Sequence, residues 1–151
     1  MKNIEQTTKG EGYVAINIGR LDKVGEYSLI HPKLKTEVFG KLFLKDVTEA
    51  TGTEISFNTL PPHTEVPYFH RHTDNEETYI ILKGSGDFQI EDDCFPVCEG
   101  SVIRVAPMLS RGMRNSSNEQ MIYMVIQSKE HSLGNYSTED GIRTEWNPKW
   151  K

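Results

Sequence analysis

Turn-forming clusters punctuate the middle of this chain at short intervals: PPH at 61–63, TDNE at 73–76, KGSG at 83–86, EDD at 91–93, EG at 99–100 and NSSNE at 115–119. Between them lie short runs with strand character, namely TEISFNTL, VPYFHRH, ETYIILK, DFQIE, SVIRV and QMIYMVIQ. Strands this short and this regularly spaced predict an antiparallel sandwich or barrel. The expectation is an all-β domain, and 151 residues suit a single core.

The flanks read differently. YVAINIGR, residues 13–20, has the pattern of an additional strand. In VFGKLFLKDVTEATG, Phe39, Phe43, Val47 and Ala50 fall near helical spacing and Gly52 could close the helix. A short helix is expected there, with a strand over 36–44 as the alternative. The tail NYSTEDGIRTEWNPKWK is polar with three aromatics, and is expected to wrap the barrel or a neighbouring subunit. The expected division is an N-terminal extension over 1–52, the barrel over 53–128 and the tail over 129–151.

Composition narrows the function classes. Net charge is −5 and no stretch concentrates Lys and Arg with aromatics, which argues against a nucleic-acid partner. No apolar run reaches the roughly 18 residues that span a membrane. The opening MKNIEQTTKGEG has no apolar segment of the kind a cleaved signal needs, so a cytoplasmic protein is expected. Cys94 and Cys98 stand four apart in DDCFPVCEG with no metal-binding partners nearby in sequence, and read as two reduced thiols on a sheet.

The stretch YFHRHTDNEETYIILKGSG, residues 68–86, carries the chemistry. In a strand His70 and His72 project to one side, with Tyr68, while Arg71 faces the other. After the turn at 73–75 the chain reverses, so Glu77, Tyr79 and Ile81 share a face and Glu76 points away. A hairpin therefore brings two imidazoles and one carboxylate toward a common point, as a metal site of nitrogen and oxygen ligands requires. Taken alone, the two histidines fit an ordinary polar hairpin as well.

The wider pattern resembles the cupin superfamily. Its first motif reads Gly, five residues, His-x-His, three or four residues, Glu, six residues, Gly. His70, His72, Glu77 and Gly84 match it, with Thr64 in place of the opening glycine. The second reads Gly, five residues, Pro-x-Gly, two residues, His, three residues, Asn. GSVIRVAPMLSRGMRN aligns without a gap: Gly100 and Asn115 match, Ala106 stands for Pro, Met108 for Gly, and Arg111 for the metal-binding His. The resemblance covers about residues 53–128 and implies a double-stranded β-helix barrel with the site inside. It implies a divalent transition metal (Fe, Zn, Ni or Mn) held by His70, His72 and Glu77, and pairing of two chains into a homodimer through barrel edges. Strand 13–20 would cover one such edge.

Arginine is always charged and cannot replace imidazole as a ligand. A guanidinium about 8 Å from a divalent ion would be repelled by about 4 kcal/mol at an effective dielectric near 20. Three placements of Arg111 follow. It could turn away to solvent or an acidic neighbour, clamp an anionic substrate beside the metal, or pair with Glu77 in the metal's stead. A bound metal is favoured, because buried polar ligands need partners.

Other residues are candidates for the pocket or for ordinary roles. Glu54, Ser56 and Asn58 share one face of their strand and either line the pocket or face solvent. His63 and Glu65 read as surface residues, as do Arg104 and Arg114. Met108, Met113, Met121 and Met124 could line the pocket or fill the core. Two functions are compatible. One is a metal-dependent oxidoreductase or isomerase acting on a small polar or anionic molecule, with Arg111 and Tyr79 holding substrate. The other is a non-catalytic ligand-binding or sensing protein that has lost ancestral chemistry.

Overall fold

The computed structural model describes residues 4–30, 35–136 and 140–150. In chain order the elements are β1 (Glu5–Gly10), β2 (Tyr13–Asn17), a 3-10 turn (Leu21–Glu26), β3 (Ser28–Ile30), β4 (Glu37–Phe39), β5 (Lys41–Phe43) and α1 (Lys45–Thr48). Then come β6 (Glu54–Leu60), β7 (Thr64–Glu65), β8 (Asn75–Lys83), β9 (Ser85–Ile90), β10 (Asp93–Cys98), β11 (Val102–Val105), β12 (Arg111–Asn115) and β13 (Met121–Lys129).

Two antiparallel sheets build the barrel, one in the order β11-β8-β13-β6-β5 and the other β10-β9-β12-β7. Alternation decides which side chains meet. Along β8 the buried residues are Glu77, Tyr79 and Ile81, every second position, as a half-buried strand demands. They join Phe88, Val97, Met113, Met121, Tyr123 and Val125 from strands of both sheets in the interior. Tyr79 and Phe88 meet edge to face across it, centroids 4.9 Å apart. This is the architecture expected of a double-stranded β-helix.

Ladder pairing sets the inner face of the larger sheet in three rows. Lys41, Asn58, Tyr123 and Ile81 form one; Phe43, Ser56, Val125, Tyr79 and Ile103 the next; Glu54, Gln127, Glu77 and Val105 the third. Partners directly opposite project to the same side, so each row faces the interior.

The helix expected over 39–52 is largely strand. β4 and β5 occupy the alternative range, and α1 is a single turn. Gly40, at φ 76°, breaks any helix between them, and its missing Cβ leaves room for Thr59 Oγ1. The residues of the apparent helical face are not gathered into the core: Phe39, Phe43 and Val47 remain largely exposed, Phe39 and Phe43 bordering the cavity. The turn of helix closes at Glu49, which adopts a left-handed φ of 58°, rather than at Gly52. β5 thus adds a strand from the extension to the barrel's larger sheet.

VPYFHRH does not form the expected strand. β7 stops at Glu65, and only His70 returns to a bridge with Arg111. Pro67 has no N–H to donate, so the ladder cannot continue through it. Residues 13–17 form a strand as expected, but it pairs with β1 in a sheet of its own and covers no barrel edge. Besides β5, the extension meets the barrel through the 3-10 turn, which contacts β5 and β6 and buries Val24.

The expected wrapping tail includes residues 137–139 and 151, which lie outside the described ones. Residues 140–150 contain no regular element and are nearly all exposed. Trp146 and Trp150 are exposed and pack edge to face on each other, centroids 5.9 Å apart. Charged neighbours interrupt the aromatics, so the tail offers no continuous apolar stripe. Cys94 and Cys98 are free thiols on β10, both exposed. No described helix is long and apolar enough to cross a membrane.

Candidate metal centre and cavity

His70 and Arg111 are held opposite each other by two backbone hydrogen bonds, His70 N to Arg111 O at 3.2 Å and Arg111 N to His70 O at 3.0 Å. A pair bonded in this way points both side chains to one face. Arg111 is therefore aimed inward by the backbone. His72 is fixed two residues on, where its carbonyl accepts from Met108 N at 2.8 Å. Met108 stands where the motif has glycine and keeps a left-handed φ of 66°, the conformation glycine would take without strain. The motif's Asn115 is buried and ties the loops together, its amide donating to the carbonyls of Leu60, Pro61 and Glu119.

His70, His72 and Glu77 converge. One ligand atom from each lies within 4.8 Å of the others. His72 Nε2 is 3.1 Å from Glu77 Oε1, and His70 Nε2 is 3.7 Å from Oε2. The two imidazoles meet edge to face, centroids 5.4 Å apart, and Tyr68 packs edge-on against His70. The amide nitrogen of Gln127 lies 3.1 Å from the His72 ring nitrogens. No motif singles out Gln127, although alternation along β13 from Tyr123 through Val125 places it on the inner face. As expected, Glu76 points away from the site, to an ion pair with Arg104.

Of the three placements open to Arg111, the structure shows the pairing with Glu77. Its Nη2 and Nε both donate to Glu77 Oε2, the latter at 3.1 Å, and Nη1 donates to Leu109 O at 3.1 Å. Tyr79 also donates to Oε2, at 2.6 Å. The two side chains expected to hold substrate thus both donate to the Glu77 carboxylate. The reason is burial: Arg111 is 1% exposed and Glu77 7%, and a charge so enclosed needs a partner at contact distance.

The same contacts set the protonation states. Burial pushes Glu77 upward, but the His70 ring beside it and hydrogen bonds from Tyr79 and Arg111 outweigh this and hold the carboxylate well below its ordinary range. Tyr79 is pushed up by burial and by Glu77, so it stays a donor. Burial lowers His72 despite the attraction of Glu77, which favours the neutral imidazole. An ionised carboxylate and an unprotonated imidazole are what a divalent ion requires. With bonds of roughly 2.0–2.2 Å, neighbouring ligand atoms on an ion stand about 3 Å apart, so these three, now within 4.8 Å of one another, would draw closer to hold one. Glu77 Oε1 faces His72 and is the oxygen left for it, since Oε2 already has three donors.

The site opens into a cavity of about 480 Å³. Ser56 and Asn58 line it, both buried, so the pocket reading of their strand holds. Glu54 also borders it, but its Oε1 accepts from Leu44 N and Lys45 N at the start of α1. Met113 lines the cavity, Met121 is core, and Met108 is exposed. His63 and Glu65 are exposed. Arg104 and Arg114 form exposed ion pairs, the latter with Asp87.

Comparison with known proteins agrees with this architecture. A family model described as a cupin domain matches residues 56–127. A solved cupin protein from Bacteroides fragilis is 34% identical with a TM-score of 0.67, over 70% of this chain and 89% of that one. A predicted oxalate decarboxylase from Thermotoga maritima is 22% identical with a TM-score of 0.59, covering 75% and 99%. A sugar phosphate isomerase from Silicibacter pomeroyi is 14% identical with a TM-score of 0.55, covering 68% of each. These last two share the fold. No curated protein matches the sequence.

Proposed function

The chain belongs to the cupin family, and we propose that it is a metal-binding cupin that acts on a small polar or anionic molecule held in the barrel. The convergence of His70, His72 and Glu77 at one end of the cavity supports this reading most. These three would hold Fe, Zn, Ni or Mn, leaving coordination positions open toward the cavity. Such an ion would supply Lewis-acid or redox chemistry, which suits an oxidoreductase or an isomerase. Around it the protein's own groups divide the work. Tyr79 and Arg111 orient the carboxylate, Gln127 steadies His72, and the apolar walls formed by Leu60, Phe88 and Val125 exclude water. The proposal includes a cytoplasmic homodimer, with 53–128 as its barrel unit.

Protein purified without chelator or histidine tag should carry a divalent ion, and His72→Ala should lose most of it along with the stability the ion confers. Glu76→Gln should retain the metal, because that side chain faces Arg104. Equal loss in both variants would overturn the assignment of ligands.

A second reading is favoured by one observation, the Arg111–Glu77 pair, which satisfies the carboxylate without an ion. On that reading the barrel binds a ligand and performs no chemistry. Oxygen uptake and product analysis against a panel of carboxylates and sugars separate the two: turnover that depends on added metal excludes the second.

A further inference from the structure

Lys41 is a cavity-lining charge that the centre does not absorb. It sits on β5 opposite Asn58, in the first of the three inward-facing rows. Among the described residues its ammonium makes no hydrogen bond and no ion pair; Nζ rests 4.8 Å from the centroid of the Phe43 ring. Phe43 belongs to the next row, opposite Ser56, so the ammonium and that serine border neighbouring parts of the same cavity wall. Ser56 Oγ accepts from Asn58 Nδ2 at 3.0 Å, which leaves its own proton free to donate into the cavity.

The neighbouring charges are committed. Arg111 is paired with Glu77, and Glu54 accepts from the backbone at α1. A half-buried ammonium over an aromatic ring gains only a modest cation–π contact, and among the described residues no carboxylate in contact offsets its desolvation. Burial accordingly lowers its pKa, against the opposing pull of Glu77 and Glu54.

We propose that Lys41, with the Ser56 hydroxyl, forms an anion subsite that takes the carboxylate of a small monocarboxylic acid whose apolar body fills the barrel. A single free cation neutralises a single negative charge, which favours a carboxylate over a doubly charged phosphate monoester. The walls select the rest of the ligand: Leu60, Phe88, Met113, Tyr123 and Val125 are apolar or aromatic, and a volume of about 480 Å³ leaves ample room for a body of one ring or a short branched chain. The inference deepens the small-molecule reading above, resting on its cavity but not on the metal.

The test measures binding of phenylacetate, 3-methylbutanoate, phenylacetamide and benzyl phosphate by calorimetry, with wild-type, Lys41→Met and Lys41→Arg proteins. Each is assayed both chelated and metal-loaded, after a thermal melt shows that it is folded. At least one carboxylate should bind, more tightly than the amide and the phosphate. Lys41→Met should weaken the carboxylate by about tenfold or more and leave the amide unchanged, with Lys41→Arg between. Lysine-dependent carboxylate binding in the chelated protein upholds the subsite even if the metal reading fails. Absence of carboxylate binding in the millimolar range, equal binding of amide and acid, preference for the phosphate, or indifference to Lys41→Met each overturns it.

Discussion

The two ends of the barrel cavity treat charge in opposite ways. At one end Arg111, Tyr79 and His72 surround Glu77, and the charge of the guanidinium is matched by a carboxylate in hydrogen-bond contact. At the other, Lys41 has the face of Phe43 in contact, and feels Glu77 and Glu54 without a hydrogen bond or ion pair to either. The difference shows where the protein has completed its own electrostatics and where it leaves a charge for something else. A buried pair is sensitive to loss of either member, whereas a cation without an anion is sensitive to what is added.

That contrast is tested most severely at Arg111. Arg111→Met leaves Glu77 buried without its main counter-charge and should cost about 3–5 kcal/mol of unfolding free energy in chelated protein. The denaturant midpoint measures it, and added zinc should restore part of the loss if the ion takes the guanidinium's place. A cost under about 1 kcal/mol would mean that the Glu77 end is not held by its charges. Tyr79→Phe removes one hydrogen bond to a charged acceptor and should cost about 1.5 kcal/mol by the same measurement. Lys41→Met should have the smallest effect, under about 1 kcal/mol in either direction, because the lost cation–π contact is offset by relief of desolvation. A large destabilisation there would show that Lys41 is as integrated as Arg111, and the two ends would no longer differ.

Local rules made part of this legible. Alternation along ETYIILK placed Glu77, Tyr79 and Ile81 inward and Glu76 outward, and the structure agrees. Spacing alone misled at Phe39, Phe43 and Val47, where a helical period coincided with two short strands broken at Gly40. The same error hid Lys41, since a residue assigned to a helix outside the barrel cannot be seen to line its cavity. The histidines were brought together as expected, but by a bridge to Arg111 and a bond from Met108 rather than by a continuous strand.

The barrel, the convergence of His70, His72 and Glu77, and the permanent cation in place of a ligand at 111 were all readable along the chain. They depend on period-two alternation and on the spacing of turns, which are properties of residues near one another in sequence. What that cation does was settled by folding. Arg111 and Glu77 are 34 residues apart and face each other through strands of different sheets. Whether a guanidinium meets a carboxylate, a ligand or solvent depends on distances across the barrel, and no local pattern encodes them. The same holds at Lys41, whose want of a carboxylate in contact arises from how β5 packs beside β6.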